Sequence, residues 1–289
     1  MSLRNLIGIV ILGPVVLVAA LMALGLNVPI PELGRDYVLR LILPDYGEQV
    51  DLPQVYGASD ATRPLVVIDA GHGGRDPGAA GEGVIEKDVT LALALAMRDA
   101  LVEQGGVRVA LTREDDRLLS LEERPAIARR LDADLFVSIH ADSAGDFAEV
   151  SGASVYTLSR EASSRAAARF AQRENDADRL NGLTMEGQND EVTAILFELS
   201  QRRVQEETSE LTSLILREGA GKLQFHSQPR RSANLVVLRT PDMPSILFES
   251  GFLTNSDDAS RLTSQEGQSE FANIMARAIR VHFARQDSN

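Results

Sequence analysis

The sequence predicts an α/β domain with a largely parallel sheet flanked by helices. Two observations carry this expectation. From Leu65 onward, short runs rich in β-branched residues alternate with longer stretches whose apolar positions repeat at helical spacing. At 289 residues and 31.3 kDa, the chain is also long enough for one large domain, or two small ones, with a sizeable core.

Residues 1–27 read as a signal-anchor or signal peptide. Arg4 precedes an uncharged apolar run, Leu6–Leu26, of 21 residues. As a helix this run is about 30 Å long, the depth of a bilayer core. Ala19, Ala20 and Ala23 offer only weak cleavage options, so an uncleaved anchor is favoured over a cleaved signal. Either segment exports the remainder of the chain. Residues 28–63 carry Pro29, Pro31, Pro44 and Pro53 and read as a linker, with one short helix around Asp36–Leu43.

The domain proper spans 64–286. Leu65–Ile68 is the first strand, followed by a loop rich in glycine from Gly71 to Gly83. The stripe Val89, Ala92, Leu93, Ala96, Met97, Ala100, Leu101 makes the next segment a helix, ended by Gly105 and Gly106. Val107–Thr112 is a second strand and Leu121–Leu131 a helix with Arg129 and Arg130 near its C-terminus, where cations suit the dipole. Asp134–His140 is a third strand and Ser154–Leu158 a weaker fourth. Glu161–Lys222 is polar and helix-forming, with breaks around Asn181-Gly182 and Gly187–Asp190. Strands return at Asn234–Leu238 and Ser245–Glu249. A helix over Gln268–Phe283, with Phe271, Ile274, Met275, Ala278 and Ile279 as its core stripe, closes the domain.

Charge and composition exclude several functions. A net charge of -13 and a pI of about 4.8 argue against nucleic-acid binding, which needs a basic face to neutralise phosphates. There is no cysteine, so disulfides and thiolate metal sites are ruled out. Histidine chemistry must draw on His72, His140, His226 and His282. The glycine-rich loop lacks the GK[ST] ending of a phosphate-binding loop. No HExxH helix and no G-x-S-x-G elbow occurs.

Three apolar runs each deliver an ionisable residue at or just past their ends: Val66–Ile68 to His72, Leu135–Ile139 to His140, and Ile246–Phe248 to Glu249. Ligands of open α/β sheets bind beyond the carboxyl ends of the strands. If the three strands are parallel neighbours, these residues converge there, and Glu86, at the start of the following helix, faces the same edge. Two imidazoles and a carboxylate form a common catalytic zinc shell with a fourth position open. Plainer roles exist for each residue. His72 could cap a turn, His140 could be a hydrogen-bonded core histidine, and Glu86 could be a charge favoured by the helix dipole. Glu249 could be a surface carboxylate. His226 and His282 read as structural or exposed. Asp69, Asp76 and Asp142 stand near enough to support the ligands.

Four motifs, in this order and spacing, resemble the zinc-dependent N-acetylmuramoyl-L-alanine amidases of the type-3 family. They are IDAGHGGRDPGA (68–79), Glu86-Lys87-Asp88, SIHAD (138–142) and PSILFESGFLTN (244–255). The resemblance spans about residues 64–284. It implies a single catalytic domain with a mixed sheet and hydrolysis of the amide between N-acetylmuramic acid and L-alanine of the peptidoglycan stem peptide. Carried over by motif, His72, Glu86 and His140 bind Zn2+ and Glu249 is the catalytic carboxylate. Cell-division amidases of this kind carry a helical insertion, here about 160–222, that occludes the site. By that resemblance Glu174, in Arg173-Glu174-Asn175-Asp176-Ala177-Asp178, is an inhibitory zinc ligand, and 181–190 receives a LytM-domain activator. The implied setting is periplasmic cell-wall remodelling and daughter-cell separation, near the inner membrane if the N-terminal helix is retained. Asn234 stands where the family commonly shows Gly. Two other readings stay open from sequence: a catalytically silent wall-binding or regulatory protein on the same fold, and a zinc peptidase acting on the stem peptide.

Overall fold

The computed structural model describes residues 52–180, 190–240 and 242–286, with only the backbone described for Leu180 and for 190–202. The N-terminal apolar segment, the helix expected around Asp36–Leu43 and the break over 181–189 lie outside the described residues. Among the described residues no helix is long and apolar enough to cross a membrane.

Seven strands form one mixed sheet in the order β1-β5-β2-β6-β9-β7-β8. They are β1 (Tyr56–Gly57), β2 (Leu65–Ala70), β5 (Arg108–Leu111), β6 (Leu135–Asp142), β7 (Ala153–Leu158), β8 (Phe225–Ala233) and β9 (Ser245–Phe252). A two-residue hairpin, β3 (Ala80–Gly81) with β4 (Val84–Ile85), stands apart from it. The central strands β5, β2, β6 and β9 run parallel. β7 pairs antiparallel with β9, and β8 lies parallel to β7 at the edge.

Strand alternation sorts side chains onto two faces. Val66, Ile68 and Ala70 of β2 point into one core with Val137 and Ile139 of β6 and Ile246 and Phe248 of β9. That core is covered by α1 (Glu86–Gln104), the C-terminal half of α5 (Asp190–Gly219) and α7 (Gln265–Gln286). The helical stripe read from sequence in α1 is the buried one: Val89, Leu93, Met97 and Leu101 are all buried. Gly105 ends α1 at φ 66°, a backbone state that favours glycine. Val67, Phe136, Tyr156 and Leu247 face the opposite core, closed by α2 (Glu123–Arg130) and α3 (Arg165–Asn175). Ser164 caps α3 by accepting from the Ala167 N–H. A short helix, α4 (Ala177–Leu180), follows α3, and α6 (Ser256–Thr263) precedes α7.

The structure departs from the sequence reading at two expected elements and adds one element that was not expected. Asn234–Leu238 is not a strand: Val236–Leu238 is a turn of 3-10 helix, and the strand is the preceding β8. β8 is polar and contains Pro229, which an edge strand tolerates because one side of its backbone has no ladder to complete. The stretch read as linker contributes β1, which pairs antiparallel with β5. The helix α6, which has no separate apolar stripe long enough to announce it, was not expected.

Candidate metal centre

β2, β6 and β9 are adjacent and parallel, so their carboxyl ends bring His72, His140 and Glu249 together as anticipated. His140 and Glu249 are paired in register across β6 and β9. His72 follows β2 in a left-handed conformation, φ 60°, uncommon for a residue with a side chain. The two glycines that follow it, Gly73 and Gly74, at φ 129° and 59°, continue the sharp turn.

The two imidazoles meet edge-on, with centroids 4.9 Å apart. His72 Nε2 and His140 Nδ1 face a common position. Glu86, the first residue of α1, reaches the same place. Its Oε2 lies 3.1 Å from His72 Nε2 and its Oε1 lies 3.0 Å from His140 Nδ1. Backbone donors hold that carboxylate: Ala79 N–H to Oε2 at 2.7 Å and Ala141 N–H to Oε1 at 2.9 Å. Asp76 Oδ2 sits 2.8 Å from His72 Nδ1 and fixes the ring from behind. Close packing needs the loop's glycines. A Cβ on Gly78 would come within 2.6 Å of Glu86 Oε2 and of the His72 ring, and one on Gly71 would strike the His140 ring at the same distance.

Glu174 of α3 also arrives. Its Oε2 is 3.6 Å from His72 Nε2 and 3.3 Å from His140 Nδ1. One ligand atom from each of His72, His140 and Glu174 lies within 4.8 Å of the others, a spacing that one cation can span. His72 Nε2 is buried and makes no hydrogen bond. An imidazole nitrogen left bare in the interior, facing a second imidazole and two carboxylates, is the donor set a divalent metal takes. The residues therefore fit a metal ion, with imidazole and carboxylate ligands of the kind zinc accepts.

Charge at the site is unevenly distributed. Burial disfavours a charged Glu86, but the His72 charge and the hydrogen bond from the His140 imidazole win and hold its carboxyl well below the usual range. Burial likewise opposes a charged His72, and the Glu86 charge with the Asp76 contact outweighs it, raising this imidazole well above its ordinary value. Glu249 goes the other way. Burial, then the charges of Asp142, Glu86 and Glu174, push it well above the carboxylate range. Its Oε1 accepts from the Asp142 N–H, while Oε2 is buried with no partner. A carboxyl with a raised value and a free oxygen beside a metal position is equipped to carry a proton.

Sequence reasoning missed two buried arginines that hold the loop. Arg124 forms an ion pair with Asp69 at 2.9 Å and donates to the carbonyls of Ala70 and His72, both at 2.8 Å. Arg113 donates to the carbonyls of Ala70, Gly71 and Lys87. Burial, and then the charge of Arg124, lower Arg113 to about 10. Thus Asp69, expected to support a ligand directly, does so through Arg124. Asp142 instead pairs with Arg173 of α3. His226 and His282 lie apart from the centre: His226 sits near Arg231 and Phe252, and His282 is buried in α7 beside Phe283.

Residues 66–281 match the profile of the type-3 amidase family, described as N-acetylmuramoyl-L-alanine amidase. The chain belongs to this family. Among amidase relatives, it is 34% identical over 232 residues to N-acetylmuramoyl-L-alanine amidase AmiC of Escherichia coli O6:H1, a match covering 79% of this chain and 55% of that protein. It is 36% identical to AmiA of Salmonella typhimurium, over 76% of each. The chain thus spans about half the length of the AmiC relative. The solved structure of amidase AmiC2 of Nostoc punctiforme superposes with a TM-score of 0.55 at 33% identity, covering 77% of this chain and 98% of that one. The mixed seven-stranded sheet flanked by helices is that of its amidase neighbours.

Proposed function

We propose that the chain is a zinc-dependent peptidoglycan amidase that cleaves the bond between N-acetylmuramic acid and the L-alanine of the stem peptide. The observation that carries this reading is the meeting of His72, Glu86 and His140 around one position, with the free oxygen of Glu249 one strand away. Family membership supports the substrate class. His72 and His140 would hold the ion through Nε2 and Nδ1, and Glu86 through its carboxylate. When bound, zinc acts as a Lewis acid that polarises a carbonyl and acidifies water. Glu249 takes the proton released as water attacks and delivers it to the departing L-alanine nitrogen. Burial keeps bulk water from competing for that proton.

Glu174 stands where a substrate oxygen would approach the ion, so the closed arrangement is autoinhibited in this reading. Opening requires α3 to leave, and an activator with a LytM-type domain, docking on the insertion, is the partner that fits. Export by residues 1–27 places the enzyme in the periplasm, held at the inner membrane if that segment is retained, where it acts in wall remodelling and daughter-cell separation.

Digestion of purified peptidoglycan tests this. Zinc-loaded Glu174→Ala should free intact stem peptides beginning with L-alanine, at a rate above wild type, and a chelator should abolish release. Cuts inside the stem peptide, or no release by a folded, zinc-loaded variant, would refute the reading.

A further inference from the structure

Arg173, Glu174, Asn175 and Asp178 each reach the rest of the domain. Arg173 donates to the Asp142 carboxylate. Glu174 enters the space between the imidazoles of His72 and His140. Asn175 then spans a stretch of backbone: its Nδ2 donates to the Asn234 carbonyl at 2.7 Å, and its Oδ1 accepts from the Val236 N–H at 2.9 Å. Asp178, buried, accepts the Leu121 N–H on both oxygens, at 3.1 and 3.0 Å. Asn175, Asp178, Leu121 and Val237 line one small cavity with His72 and His140, so the Asn175 and Asp178 side chains lie beside the two imidazoles.

The Asn175 contact has a recognisable form. The carbonyl of one residue and the N–H two residues later are the pair that a strand offers to a single residue of a parallel neighbour. A peptide residue running parallel to 234–236 would fill that pair through its own N–H and C=O, as the Asn175 amide does through its side chain. Extended peptides are commonly bound by such backbone addition. The Leu121 N–H, occupied by the Asp178 carboxylate, offers a donor to a carboxylate further along the same peptide.

We propose that the Asn234 carbonyl, the Val236 N–H and the Leu121 N–H form the subsite for the stem peptide, and that residues 174–178 occupy it as an internal substitute. The proposal rests on the amidase reading and deepens it. The Glu174 carboxylate takes the place of the scissile carbonyl oxygen, the Asn175 amide that of a stem-peptide residue, and the Asp178 carboxylate that of an acidic group downstream. The segment therefore competes with substrate for hydrogen bonds as well as for the metal.

Nuclear magnetic resonance of the isotopically labelled, zinc-loaded full chain tests this, with the uncleavable product-like peptide L-alanyl-γ-D-glutamyl-L-lysine as probe. In Asn175→Ala the peptide should saturably shift the Val236 and Leu121 amide signals and bind at least about tenfold more tightly than to wild type. Asn175→Asp, which repels the Asn234 carbonyl but keeps the side chain's size, should do the same and serves if the alanine variant does not fold. Replacing the glutamyl carboxylate by an amide should remove the Leu121 shift and leave that of Val236. Shifts confined to other residues, or equal affinity in wild type and both variants, would overturn the proposal and show that Asn175 only caps the 3-10 turn. If stem peptides are nevertheless released from peptidoglycan, the subsite fails and the amidase reading stands. If none are released, that reading fails too.

Discussion

His140 and Glu249 occupy paired positions on neighbouring parallel strands, so an imidazole and a buried carboxyl stand side by side at one edge of the sheet. The rigid ladder fixes their separation without help from a loop. His72 and Glu86, by contrast, come from a glycine-rich turn and a helix start, and that half of the site needs external bracing from Arg113 and Arg124.

In the proposed mechanism this side-by-side placement gives proton transfer to Glu249 and metal binding to His140. Glu249→Gln keeps the Asp142 N–H contact available and removes the titrating oxygen. In a Glu174→Ala background, stem-peptide release should fall by about 10²–10⁴-fold, with bound zinc unchanged. A fall of less than threefold would remove Glu249 from the chemistry.

Arg124 is expected to matter for stability out of proportion to its distance from the reacting groups. Arg124→Ala leaves Asp69 buried without its ion pair, strips the His72 carbonyl of its arginine donor and leaves the Ala70 carbonyl with Arg113 alone. The cost should be about 3–5 kcal/mol in urea unfolding. Arg124→Lys, which keeps charge but loses the fork, should fall between. A loss below about 1 kcal/mol for the alanine variant would contradict the bracing role.

Asp69 should give the fold an acid-sensitive limb. Burial raises its carboxyl, but the Arg124 charge and the hydroxyls of Ser138 and Thr112 outweigh that and hold it below its ordinary 3.8. A folded value below the unfolded one adds stability that is complete above the unfolded value and disappears as pH falls through the folded value. Wild type should therefore lose thermal stability below about pH 4 more steeply than Asp69→Asn, which should already be less stable at pH 7. Identical acid limbs would show that Asp69 contributes nothing by its charge.

The sequence announces some elements and hides others for physical reasons. β2, β6 and β9 are buried along nearly their whole length, so their apolar runs are continuous and each leads to an ionisable residue at or just past its end. β8 is an edge strand with few buried positions, and its sequence, FHSQPRRSA, carries no alternation to find. The neighbouring Leu235–Leu238 run is apolar because it is buried, yet its backbone turns. Burial alone does not distinguish strand from 3-10 turn at that length. Arg113 and Arg124 look like surface charges in sequence. Only the folded loop, with its carbonyls turned inward, reveals why they are buried. The roles of Asn175 and Asp178 were equally hidden, because their partners are backbone groups about sixty positions away.

The most direct measurement is zinc per chain, determined by elemental analysis after dialysis of wild type, His72→Ala, His140→Ala and Glu249→Gln, each shown to be folded by circular dichroism. The arrangement of His72, Glu86 and His140 around one position predicts about one zinc in wild type and Glu249→Gln, and a loss of at least about tenfold in affinity in each histidine variant. Full zinc retention in a folded His72→Ala or His140→Ala, or absence of zinc from wild type, would contradict it.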